Sequence, residues 1–425
     1  MTSHPREGFG LDLRENAISR REFLRRATAL AGAGVAIGAL GGLGTVLEGV
    51  ASDAGAAATM PLPRPDSPIT WPIFSDNKPI ASNLKPERGA TLKLYNWVAY
   101  INQAVVNNFA KRYHCKVEVT TFNTMEEAIA KLQGGEKFDV FFPTIDELGP
   151  LIEGKLLKPL NHSYISNISQ AWSDFTNPWY DQKWQYTVPY TIYTTGMAWR
   201  KDHVHENPYT MKNPWAMPWQ SKYRGKVAIL DDYRESLALG LMKNGLINLN
   251  TTKQSQISLS ESSLADLAHL TNVHIDNNDY SNVPSGQIWI HHAWSGDIAA
   301  AAGYMPKGVP VEVVGYWFPP DGRGPVGNDT ITILKSSENP VLAHLFLNYM
   351  LDLDNAIENI SFNGYMQPLT GVTPQVLIKE KILPKTLQST VVLPSYFRKG
   401  VGEYQLPAAA NSEWEQAWLQ FSQGI

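Results

Sequence analysis

Two acids three residues apart, Asp232 and Glu235, are the residues of this chain best placed to act on a ligand. The run 226–230 is short, apolar and β-branched, as a buried strand should be, and 236–244 has helical spacing. The acids therefore fall at a strand-to-helix turn. On a first helical turn this spacing puts both carboxylates on one face, outside the carboxyl end of a sheet, where open α/β sheets bind ligands. Two anions side by side suit a cation. The same residues would also serve as a helix cap and a favourable charge at the positive end of the helix dipole, and by themselves they do not choose between the two roles. An exported hydrolase using Asp232 and Glu235 as acid and base is the rival from another class. Three residues apart on one turn, the pair sits too close to flank a bond as glycosidase carboxylates do.

Aromatic residues supply the second signal, with 13 Trp and 18 Tyr in a chain that is only 18% charged. They recur at strand ends. Trp97 and Tyr100 follow one expected strand, Trp294 ends another that contains His291 and His292, and Tyr365 follows Gly364 after a helix. A strand-end Trp usually edges a core. Set beside carboxylates, the aromatic residues gain a further use, because an alkyl-ammonium wants anions at its charged ends and aromatic faces along its methylenes.

Other patterns are excluded. Gly322, Gly324 and Gly327 match a dinucleotide spacing, but Pro325 lies inside it and a strand-like run follows where a helix should begin. Adjacent His291 and His292 leave a strand on opposite faces and cannot share a metal, and 276–281 lacks calcium-loop spacing. No metal, cofactor or catalytic nucleophile is expected. The only cysteine, Cys115, permits no intrachain disulfide and reads as a small apolar residue. No basic run points to nucleic acid, and the formal net charge is −4.

The elements that must position these residues alternate. Strands are expected at 92–95, 116–122 and 139–142, with helices at 102–113, 125–132 and 144–152 between and after them. Two short strands divided near Tyr190 fill 186–199. The pattern then repeats with a strand at 226–230, helices at 236–244 and 260–270, a strand at 287–292 and a helix at 296–303. Strands at 311–316 and 330–334 follow, with Asp329 just before the last, and 340–362 is mostly helical. This is α/β alternation. The seven prolines of 61–86 make that stretch an extended arm, with order beginning at Thr91.

The N-terminus reads as an export address. Ser19, Arg20, Arg21, Glu22, Phe23 and Leu24 spell a twin-arginine signal, followed by an Ala/Gly-rich apolar stretch and a small-residue run at 54–58. Six glycines in 32–44 make it a poor permanent span. Residues 1–58 are thus a twin-arginine export signal, and the translocase of that route is an expected partner.

The chain resembles the bacterial spermidine/putrescine-binding proteins, extracytoplasmic receptors of polyamine ABC transporters, over about 91–421. The landmarks run in order: Tyr95-Asn96-Trp97 with Tyr100, 139–143, 186–190, 231–235, Trp294, Asp329, Gly364-Tyr365 and Gln405. The resemblance implies a two-lobed periplasmic-binding-protein fold, type II-like, each lobe a mixed sheet flanked by helices, with hinge crossings between them. One lobe would take 59–192 with 328–372, the other 193–327 with 373–425. It also implies that Trp97, Tyr100, Trp294 and Tyr365 wall a polyamine. Asp232, Glu235 and Asp329 would take its amino groups, and Gln405 would help close the site. Partners would be the ligand and an ABC permease with its ATPase, at the periplasmic or extracytoplasmic surface. Two positions depart from the family pattern. Gly327 stands where an aromatic is usual, so one wall should be thinner. Asp146 stands where a tyrosine is expected and either begins a surface helix or meets an amino group. Another cationic ligand, such as a quaternary ammonium, an amino acid or an opine, keeps the fold, but Asp329 favours a second amine.

Overall fold

The computed structural model describes residues 61–424. The export signal assigned to 1–58 lies outside the described residues. Apolar alternation builds the first half of the sheet: in β1 (Thr91–Trp97) Leu92 and Leu94 are buried, and β2 (Lys116–Phe122) pairs with β1 in parallel along its whole length. The crossover helix α1 (Gln103–Tyr113) starts at Asn102, whose side chain accepts from Ala104 N; α2 (Met125–Gln133) starts at Thr124, which accepts from Glu127 N. Strand β3 (Val140–Phe141) then lies parallel to β1 on its other side. The stretch 144–152 is not one helix but a tighter turn at Ile145–Glu147 followed by α3 (Leu148–Glu153), and β4 (Leu157–Lys158) comes next.

The second half repeats the plan. Strand β6 (Val227–Ile229) runs into α4 (Tyr233–Lys243), which packs on α5 (Gln254–Thr271) before β7 (His274–Ile275) and β8 (Ile290–Trp294). Both β7 and β8 are parallel to β6. Helix α4 is buried from Arg234 to Met242, and a Cβ on Gly240 would lie 2.3 Å from Ser260 Oγ, so only glycine lets α5 approach this closely.

Two strands join the halves. Residues 187–200 form one continuous strand, β5 (Thr187–Arg200), rather than two. The interruption expected near Tyr190 is a bulge: against β10 (Val326–Leu334), Asp329 pairs with Thr191 and Thr330 with Pro189, leaving Tyr190 unpaired in the register. Proline at 189 has no N–H for the ladder, which is consistent with an irregularity there. The first part of β5 pairs antiparallel with β10, the later part antiparallel with β8 and with β9 (Val314–Trp317). The complete order is β2-β1-β3-β10-β5-β8-β6-β7, with β4 on β10 and β9 on β5. Strand β10 starts before Asp329, so this acid sits within a strand rather than at the turn preceding it. After β10 come helices α6 (Pro340–Met350) and α7 (Leu353–Asn363) and, near the end of the described residues, α8 (Ala408–Gln423).

The proline-rich arm is ordered well before Thr91. Trp71 is 1% exposed, donates from Nε1 to Tyr180 O at 2.7 Å, and packs in a cluster with Tyr95, Phe122 and Phe141. Burying an indole removes roughly 150–250 Å² from water, enough to pin a segment that has no periodicity of its own. Ahead of it, Arg64 donates to Gln405 O at 2.7 Å, tying the arm to the tail.

Candidate functional site

Strand direction decides where the side chains meet. The carboxyl ends of β1 and β3 release Trp97, Tyr100, Thr144 and Asp146; those of β6 and β8 release Asp232 and Trp294. Because β10 is antiparallel to β3 and β5 is antiparallel to β8, these two sets face each other across the middle of β5 and β10. Two pairings fix the approach: Thr144 bridges Asp329, and Thr195 lies opposite Trp294.

One pole belongs to Asp232 and Glu235. Asp232 caps α4, its Oδ1 accepting from Arg234 N at 2.9 Å and Glu235 N at 3.0 Å, so the helix-cap role is real. It does not exclude the other role, since capping uses one oxygen. Glu235 is 5% exposed, and its Oε1 accepts from Thr195 Oγ1 at 2.7 Å and Trp294 Nε1 at 2.9 Å. Its Oε2 is buried and accepts nothing from the described residues. Burial pushes Asp232 up to about 6, and burial followed by the neighbouring Asp232 pushes Glu235 upward.

The second pole is Asp329. It is 4% exposed, its Oδ2 accepting from Tyr100 Oη at 2.5 Å and Thr191 Oγ1 at 3.2 Å, while Oδ1 is buried without a donor. Burial raises it to about 7, against the opposing effect of those two hydrogen bonds. A turn-capping role for Asp329 is ruled out by its place in β10 and by these side-chain partners.

Aromatic rings gather beside Asp329, and Tyr193 among them feels the charges of both Asp329 and Glu235. Tyr365 meets Tyr100 edge-on with centroids 4.9 Å apart, and Tyr193 at 6.0 Å. Gly364 ends α7 with φ 76°, and a Cβ there would lie 2.0 Å from Gly296 O, so glycine is what lets Tyr365 close against the turn after Trp294. Gly327 does not thin the wall: a Cβ on it would lie 2.4 Å from Tyr193 Cζ, because the Tyr193 ring occupies the space where an aromatic at 327 would stand. Trp97 is half-buried, donates from Nε1 to Phe142 O at 3.0 Å and packs on Phe122. Gln405 lies against α3, its Oε1 2.4 Å from where a Cβ of Gly149 would be. Trp97 is thus placed by contacts other than the two poles.

Asp146 is half-buried on the turn before α3, and its charge acts on Asp232, Asp329 and Glu403. Sequence reading missed Glu403, Tyr193 and Thr195. Glu403 has a buried Oε1 without a donor, and burial followed by Glu235 pushes its carboxyl well above the usual range. Nothing in its local sequence marks it; only the fold of the tail brings it to Glu235. No group of metal-ligating side chains occurs among the described residues, and His292, buried, is held down to about 3 by burial and His291.

Trp294→Leu is expected to lower affinity for a cationic ligand by about 0.5–2 kcal/mol while costing less stability, because Leu keeps much of the packing but loses the ring and the donor to Glu235. Calorimetry with melting curves checks it; unchanged affinity with a large fall in melting temperature would make Trp294 a core residue only.

The architecture, a mixed α/β sheet whose halves are joined by β5 and β10, is that of the two-lobed binding proteins. Residues 104–385 match the model of the bacterial extracellular solute-binding protein family, and the chain belongs to that family. It is 25% identical over 339 residues to the spermidine/putrescine-binding periplasmic protein of Escherichia coli, covering 79% of this chain and 92% of that one. With the putrescine/cadaverine-binding protein of Pseudomonas aeruginosa it shares 27% identity over 301 residues, 70% of this chain and 83% of that one. Among solved structures, the spermidine/putrescine ABC transporter substrate-binding protein of Streptococcus pneumoniae superposes with a TM-score of 0.64 at 23% identity, over 79% of this chain and 99% of that one.

Proposed function

We propose that this protein captures a polyamine of the putrescine/spermidine class between its lobes and delivers it to an ABC transporter, performing no chemistry itself. The observation that carries the reading is the pair of buried carboxylates, Glu235 and Asp329, each with one oxygen lacking a donor, with Trp294 on the first and Tyr100, Tyr365 and Tyr193 beside the second. Two anionic poles suit two ammonium groups, and the rings suit the methylenes between them. The names of the similar proteins from Escherichia coli and Pseudomonas aeruginosa point to the same ligands. Trp97, Tyr100, Asp146, Asp232, Glu235, Trp294, Asp329, Tyr365 and Gln405 form the proposed ligand-binding set. Micromolar affinity needs about 8 kcal/mol, within reach of a few buried charge-assisted hydrogen bonds at about 1.5–3 kcal/mol each plus stacking, after ordering costs.

The lobes are assigned as 59–192 with 328–372, and 193–327 with 373–425. These limits fall on residues paired across the crossing, Ile192 with Asn328 and Tyr193 with Gly327, where a small change in both strands would swing one lobe on the other. Export by the twin-arginine route to the periplasmic or extracytoplasmic surface completes the reading. Replacing Arg20 and Arg21 by Lys tests the route, with full-length precursor expected in the cytoplasm and normal export counting against it.

A thermal-shift panel of putrescine, cadaverine, spermidine, spermine, betaine, lysine and maltose tests the function. Stabilisation by the polyamines and not by betaine, lysine or maltose is expected. Stabilisation by betaine or lysine alone would move the ligand to a quaternary ammonium or an amino acid, and product formed from a glycoside by the pure protein would restore the hydrolase.

A further inference from the structure

Glu403 belongs to a segment held from both sides. Val401 N donates to Gly324 O at 2.9 Å and Val326 N donates to Val401 O at 3.1 Å. The single side chain of Asn250 then grips both neighbours of Glu403, donating to Gly402 O at 2.9 Å and accepting from Tyr404 N at 2.7 Å. Arg234 donates to Tyr404 O at 3.1 Å. Arg234, which holds Tyr404 O, directly precedes Glu235 on α4, so the segment lies beside that acid. Glu403 Oε1 is buried without a donor, and the charges of Glu235, Arg234, Asp232 and Asp146 act on its carboxylate. The one cation among these does not reach the carboxylates by hydrogen bond. Its guanidinium donates to Tyr404 O, Leu249 O and Asn250 Oδ1 and stands over the Trp414 ring.

We infer that Glu403 completes a three-carboxylate pole with Asp232 and Glu235 that takes a primary ammonium by its three N–H groups, while the Asp329 pole accepts an N-alkylated ammonium. The inference rests on the reading of the protein as an amine receptor. The donor count supports it. A primary ammonium has three N–H donors and no acceptor. At this pole Glu235 Oε2 and Glu403 Oε1 lack donors, and Asp232 uses only Oδ1 for capping. The far pole differs in kind. Asp329 has Oδ2 filled by Tyr100 and Thr191 and offers only Oδ1, beside the rings of Tyr100, Tyr193 and Tyr365. One acceptor among aromatic faces holds a methylated ammonium by charge and cation–π attraction without needing N–H groups. The site therefore orients its ligand, free amino end toward α4.

Calorimetric titration of the exported chain tests this, with whichever of putrescine and spermidine binds more tightly, that amine trimethylated at one terminus, and that amine trimethylated at both. Trimethylation of one end is expected to cost less than about fivefold, because the ligand turns its free end to Glu403. Trimethylation of both ends should cost more than about a hundredfold, since the N–H bonds to buried carboxylates are lost. Glu403→Gln should weaken the parent amine by about tenfold and shrink the penalty for the second trimethylation. Equal penalties for the first and second trimethylation, or an unchanged affinity in Glu403→Gln with a normal melting temperature, would overturn the inference. If the variant does not fold, the ligand series on the wild type decides alone. Failure of the wild type to bind either parent amine would instead remove the amine reading itself.

Discussion

Asp329→Asn is expected to weaken binding of putrescine and spermidine by about 1.5–3 kcal/mol, roughly ten- to 150-fold, and that of butylamine much less. The substitution keeps the shape and an acceptor for Tyr100 but removes the charge. If the amide oxygen stays on Tyr100 and Thr191, the amide nitrogen replaces Oδ1, and a donor then faces the ligand's own N–H groups. A monoamine has no second charge to place and can bind at the Asp232/Glu235 pole. The ligand-free protein should respond in the opposite direction. Burial holds the Asp329 carboxyl at about 7, well above its unfolded value, so the fold favours the neutral form. Its contribution to stability is therefore best at low pH and is lost as pH rises through about 7. The Asn variant should be more stable than wild type by about 1–3 kcal/mol near pH 8, a margin that shrinks toward pH 5. Equal small affinity losses for all three amines would take Asp329 out of the site and with it the main support for a diamine or longer ligand.

Acid should release the ligand. In the empty site Asp329 is raised to about 7 and Asp232 to about 6, both by burial, and Glu235 and Glu403 are raised with them. Glu147, on the turn with Asp146, is raised to about 8 by burial and by Asp146, and Arg234 is the cation that opposes these shifts. An ammonium bound between the acids lowers their pKa values, so below neutrality binding must expel protons. The amines stay charged throughout, with pKa values near 10. Affinity should be nearly flat above about pH 8 and fall by roughly one to two orders of magnitude by about pH 5, or about 1.4–2.8 kcal/mol. Titrations in two buffers of different ionisation enthalpy at about pH 6 should report proton release on binding. Asp329→Asn should flatten part of the pH profile, whereas a wild-type affinity constant from about pH 5 to 8 would show that these carboxylates do not meet the ligand.

The local elements and the types of residue that matter are legible along the chain, and strand and helix fall where patterning puts them at the Asp232 turn and at Trp294. Alternating strands and helices, the Asp232 cap with Glu235 one turn on, and strand-end aromatics are set by interactions within a few residues, and these are legible without a fold. Besides 144–152, which breaks into a turn and a short helix, three stretches depart from local patterning for a tertiary reason. The arm is ordered because Trp71 finds a pocket made by distant residues; β5 stays whole because β10 and β8 pair along it; Asp329 lies inside a strand because β10 begins earlier, on the partner that β5 provides. How the acids combine depends on packing between distant elements. Glu403 reaches Glu235 across nearly half the described chain, held by Asn250, and Tyr193 fills the space that Gly327 leaves. Neither has a sequence signal, because a carboxylate's pKa and a ring's vacancy depend on what lies across the sheet, and strand order, not spacing along the chain, brings those groups together.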